Sequence, residues 1–158
     1  MITRWFLLSA FVVLNSFCSY AQEQSRIVRD ARSLASYIDY SATTVAGMFV
    51  DSMSKKDDPY TERFYKSSLN NSLTKVELYK PEQKCLAIFY FQNEKLIYVK
   101  GSDTSTKTPL LIEIVFQNEK LIYESHRAAC GPGAMPQRII DESKSYLLRY
   151  KLFHKMPH

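Results

Sequence analysis

Two cysteines and one histidine carry what reactive chemistry this chain offers. Cys130 lies four residues after His126 and directly before Gly131-Pro132-Gly133. A thiol nucleophile needs a base within hydrogen-bond reach and donors for an oxyanion. His126 would be that base, and backbone N–H groups at the start of a following helix would be the donors. The reading fails if Cys130 is bridged, and Cys85 is the available partner. An oxidising compartment turns a pair of cysteines into one disulfide, so a Cys85–Cys130 bridge is the first expectation. Two free thiols and a reactive Cys130 are the alternatives.

The other reactive side chains form no pattern. His126, His154 and His158 have no His-x-x-x-His or Cys-x-x-Cys spacing, so no metal site is expected. Glycine-rich phosphate loops and a Gly-x-Ser-x-Gly elbow are missing from the sequence, and no cofactor is expected. Asp57-Asp58 read as helix-ending and capping residues, not as a carboxylate dyad.

The elements that must position these residues begin with an export signal. Arg4 supplies a basic start, Trp5 to Phe17 an apolar run, and Ser19-Tyr20-Ala21 small residues before a cut at Gln22. The run is shorter than the roughly 20 residues of a membrane span. Lipid attachment at Cys18 is disfavoured by the bulky Phe17 before it. Residues 1–21 are thus read as a signal peptide and 22–158 as one domain, periplasmic or secreted. Of 21 Lys and Arg only Arg4 is lost, leaving 20 against 16 acids, or +4. This balance, with no dense basic run, argues against nucleic acid as a partner.

Ile27, Ala31, Leu34, Ile38, Ala42, Val45 and Phe49 recur at helical spacing and predict one helix over 26–56. At ~1.5 Å per residue it would be about 45 Å long. Its near-heptad stripe also suits a homodimer seam. Asp58-Pro59 then reads as the start of a short helix through Tyr60, Phe64 and Leu69.

Five strands follow, over 73–80, 85–92, 95–100, 110–117 and 120–125. Phe-Gln-Asn-Glu-Lys-Leu-Ile-Tyr occurs at 91–98 and again at 116–123, which marks two repeated hairpins. Each tip lacks Asn-Gly, so a loop longer than two residues is expected. Alternation puts Cys85, Ala87, Phe89 and Phe91 on the core face and Leu86, Ile88, Tyr90 and Gln92 outward. An apolar outward face is either covered or binds something. Ile88, Tyr90, Ile97 and Tyr98 are its binding-face candidates. A second helix is expected from Gln137 to about His154.

The fold class is therefore α+β: a long N-terminal helix on a four- to five-stranded antiparallel meander, with a C-terminal helix alongside. The order resembles that of cystatin-like and related exported inhibitor or binding domains. The resemblance is one of topology alone and transfers no residues. The functional expectation is a small, exported, non-enzymatic binding protein whose partner is a protein or envelope component. The alternatives are an envelope-associated structural protein dimerising through the long helix, and a thiol-dependent enzyme using Cys130 and His126.

Overall fold

The computed structural model describes residues 2–44, 48–51, 54–55, 58–59, 61–67, 69–81, 84–103, 110–125 and 136–155. The fold is α+β. Helix α1 spans Ile2–Thr44 and is followed by β1 (Met48–Asp51) and a two-stranded ribbon, β2 (Ser54–Lys55) with β3 (Asp58–Pro59). A six-stranded antiparallel meander comes next: β4 (Thr61–Lys66), β5 (Leu73–Lys80), β6 (Cys85–Gln92), β7 (Lys95–Asp103), β8 (Leu110–Gln117) and β9 (Lys120–Glu124). Strand β1 joins its outer edge beside β4. Helix α2 spans Pro136–Lys155.

Three sequence expectations are corrected here. The first helix ends at Thr44, and Phe49 belongs to strand β1. Its strictly local stripe continued past the point where the chain turns back to extend the sheet. The expected short helix through Phe64 is strand β4, so the sheet has more than four or five strands. Asp58-Pro59 resembles a helix cap, but Glu62 and Phe64 alternate with Arg63 and Tyr65 and pair with β5. Backbone pairing outweighed the capping signal.

The third correction concerns the repeated tips. Gln92 pairs with Lys95 and Gln117 with Lys120, leaving two-residue turns. Asn93, Glu94, Asn118 and Glu119 all have positive φ, between 50° and 61°. Positive φ at both central residues defines the type I′ turn, whose twist suits a hairpin. Both copies also carry the same bulge. The register slips between Tyr90 and Phe91 in the first and between Val115 and Phe116 in the second, leaving Ile97 and Ile122 as the extra residues. Each tip glutamate meets a lysine of α2, Glu94 with Lys151 at 2.6 Å and Glu119 with Lys144 at 3.0 Å. The octapeptide is thus one hairpin design used twice, with each tip beside α2.

Glutamate is a costly residue in that turn. The left-handed region costs a non-glycine residue roughly 1–2 kcal/mol, and an exposed ion pair returns little of it. Glu94→Gly is therefore expected to stabilise the fold by about 0.5 kcal/mol, after allowing for the extra flexibility of glycine in the unfolded chain. Urea denaturation would show it as a raised midpoint, and a lowered midpoint would refute it.

The two helices cover opposite faces of the sheet. Under α2 lies an aromatic and aliphatic core in which Phe64, Val76, Phe89, Val99 and Ile114 form one cross-strand row. Tyr146 enters it edge-on to Phe89, with ring centroids 5.0 Å apart. Under α1 the next row is Tyr65, Lys75, Tyr90, Tyr98, Val115 and Tyr123, one residue from each of β4 to β9. Val28, Ala31, Ala35 and Ile38 are the buried face of α1 against it.

Candidate functional site

The expected outward face is correctly separated from the core face but is not exposed. Tyr90 and Tyr98 are buried beneath α1, and Ile88 and Ile97 are half-buried at its margin. Simple alternation cannot place neighbours Ile97 and Tyr98 on one face. The bulge does so. The helix stripe expected to offer a dimer seam, with Ala31 and Ile38 at its centre, lies against this sheet.

Small side chains on α1 let it approach closely, and two polar clasps fix its position. Near the end of the helix, Asp39 accepts hydrogen bonds from the Lys75 ammonium at 3.1 Å and the Tyr90 hydroxyl at 2.9 Å. Lys75 also meets Glu77 at 3.1 Å, and its ammonium lies 4.1 Å from the Tyr65 ring centroid. One helical stretch earlier, the Arg32 guanidinium donates two hydrogen bonds to the Glu113 carboxylate, which also accepts from the Tyr98 hydroxyl. Such bidentate pairs fix geometry as well as charge.

These contacts set the titration behaviour. Burial, reinforced by the bond to Asp39, pushes the Tyr90 hydroxyl far above its ordinary range, and Tyr98 moves the same way through burial and Glu113. Both remain neutral donors. Burial would raise the Glu113 carboxyl, but the bonds from Arg32 and Tyr98 outweigh it and hold the group low. Burial would likewise lower the Lys75 ammonium, and its bonds to Glu77 and Asp39 leave it raised. Each charge faces an opposite charge, so the clusters hold α1 in place and offer no unpaired acid or base for catalysis.

Cys85 is a free, buried thiol at the start of β6. Cys130, His126 and the Gly131-Pro132-Gly133 segment lie outside the described residues, as do Asp57 and His158. The bridge and the thiol chemistry therefore gain no geometry from the fold. Among the described residues no cluster of three His, Cys, Asp or Glu could hold a metal ion. No helix among them is long and apolar enough to cross a membrane.

The open surface lies elsewhere, at the turn end of the sheet. A cavity of about 220 Å³ opens between α1, the β4–β5 turn and the first hairpin tip, lined by Leu34, Tyr37, Lys66, Leu69, Phe91 and Asn93 among others. A second, of about 430 Å³, opens on the α2 side and shares Lys66 and Ser72 with the first. Leu69 is 93% exposed and Tyr37 is 66% exposed. The turn between them is well built: Ser67 N–H donates to Ser72 O, Asn71 N–H to Ser67 O, and Asn71 takes a left-handed φ of 54°. Sequence reasoning missed this site because it placed Leu69 on a short helix. The available signal was Asn70-Asn71-Ser72, a turn cluster beside an apolar residue with no strand to join.

The fold is a small α+β sandwich, with the main antiparallel sheet between two helices and exposed apolar residues at the strand ends. The chain matches no protein-family model, no curated protein and no solved structure at significant similarity.

Proposed function

We propose that this is a small exported binding protein of the cell envelope or secreted fraction, without catalytic activity, which engages its partner through the turn end of the sheet. The observation that carries this reading is the exposure of Leu69 and Tyr37 beside a formed groove. Both sheet faces are already occupied by helices and both clasps are internally paired, which leaves that end as the apolar surface best placed to receive a partner. Export draws support from the way α1 is used. Tyr20 to Glu23 are exposed, and Gln24 is the first described side chain bonded to the sheet, donating to Ile122 O. A cut before Gln22 would leave each described hydrogen bond between α1 and the sheet in place.

Two measurements test this. Residues 1–25 fused to alkaline phosphatase in a bacterial host should give external activity and a mature N-terminus at Gln22. An inactive fusion would refute export. A photo-reactive phenylalanine analogue at position 69 should give a discrete cross-linked partner in cell-envelope fractions. The same group at exposed Lys84, which lies in the β5–β6 turn, should give none. Equal labelling from both positions, or none from 69, would refute the surface.

A further inference from the structure

We infer that the groove at the turn end takes a short amphipathic carboxylate, with its headgroup on Lys66 and its chain along Leu34, Tyr37 and Leu69. This rests on the reading of that end as the binding surface and adds the chemistry of the ligand. Tyr65 pairs with Lys75 and Lys66 with Leu73, so Thr74 is extra on β5. The slip leaves Lys66 at the sheet end, half-buried, where it lines both cavities.

Lys66 differs from the other lysines of this region. Lys75 is shared by Asp39 and Glu77, and Lys151 is paired with Glu94. Lys66 makes no ion pair among the described residues, and no Asp or Glu lines the cavity on the α1 side. The groove thus carries one cation and no anion. Three of its hydroxyls already donate internally: Ser41 to Ile38 O, Thr74 to Tyr65 O and Ser72 to Asn70 Oδ1. The donors that remain for a ligand are the Lys66 ammonium, the Gln92 and Asn93 amides and the Tyr37 and Ser67 hydroxyls. A carboxylate accepts several such bonds, and a charged acceptor makes each stronger.

Size and position select the rest of the ligand. A volume of about 220 Å³ falls below the roughly 300–1,000 Å³ that suits drug-sized molecules, so it fits a short chain. Leu34, Tyr37 and Leu69 give that chain an apolar surface. A peptide added as a strand needs an open sheet edge. The edges here are β1 and β9, while the groove sits at the ends of β4, β5 and β6. A chain acid is therefore the occupant.

Calorimetric titration of the purified protein with octanoate, octanol and an apolar tripeptide bearing a free C-terminus tests this. Octanoate should bind saturably, and Lys66→Gln should weaken it at least tenfold. Lys66→Arg should retain it within a few-fold, and octanol should bind weakly and equally to all three proteins. Unchanged thermal midpoints would confirm that both variants fold. The inference is overturned by the absence of saturable octanoate binding, by indifference to Lys66→Gln, or by tighter binding of the tripeptide. If octanoate fails while cross-linking at position 69 persists, the ligand class alone falls. If both fail, the binding surface falls with it.

Discussion

Tyr146→Ala should cost roughly 3–5 kcal/mol, the range for removing a large buried aromatic side chain. Domains of this size are stable by only about 5–15 kcal/mol, so the variant should be largely unfolded under mild denaturation. Tyr146 is 1% exposed and stands where α2 meets the sheet. Its ring meets Phe89 and Phe64 edge-on, at 5.0 and 6.3 Å between centroids, and the Arg149 guanidinium lies over it at 4.9 Å. Arg149 in turn holds the buried Glu62 carboxylate at 2.6 Å. Loss of the ring therefore opens a cavity and loosens the cation that keeps Glu62 neutralised. Tyr146→Phe separates these effects. It removes only the hydroxyl, which donates to Glu142 at 2.6 Å, and should cost about 0.5–1.5 kcal/mol. Guanidinium denaturation measures both, and a cost under 1 kcal/mol for the alanine variant would mean that α2 is not held by this core.

Lys75→Ala should cost about 3 kcal/mol, at the low end for breaking a buried ion pair. The Lys75 side chain is 7% exposed and serves two carboxylates. Glu77, at 18% exposed, keeps Arg63 at 3.8 Å and the Tyr65 hydroxyl at 2.9 Å, and Asp39 at 41% can regain water. Those remaining partners set the estimate at the lower end. Lys75→Met with Glu77→Gln should recover most of the loss, because position 77 is then neutral and Asp39 keeps the Tyr90 hydroxyl and its access to water. A double-mutant cycle should show coupling above roughly 0.5 kcal/mol. The sign with pH follows from the raised Lys75 ammonium: its contribution is intact below the ordinary lysine range and fades only as pH rises through the higher folded value. Limited proteolysis within α1 gives a second readout, since Lys75→Ala should expose that helix first. Equal cleavage of the wild type and the variant would show that the clasp does not hold α1.

Both predictions concern features that the sequence shows only in part. Alternation in 85–92 separated Ala87, Phe89 and Phe91 from Ile88 and Tyr90 correctly, because a buried strand face must be apolar every second residue. The duplicated octapeptide located two hairpins. Its bulges and type I′ turns were not readable, since Asn-Glu is not the residue pair that marks such a turn. Thr61–Lys66 was misread because a proline and a capping aspartate precede it, and local signals dominate where a strand is short.

What the sequence alone determined is local: two helices, the strands from Leu73 to Glu124 and the two faces of the sheet. What tertiary structure decided is which surface each face meets. Tyr90 reads as outward from its own strand, and it is buried because α1 lies across it. Asp39 with Lys75 and Arg32 with Glu113 are separated by 36 and 81 residues. Periodicity in a single segment carries no information about such a partner. The same long-range packing decided the site. By covering both faces and pairing the internal charges, the helices left Tyr37 and Leu69 among the apolar residues still exposed, at the sheet's end.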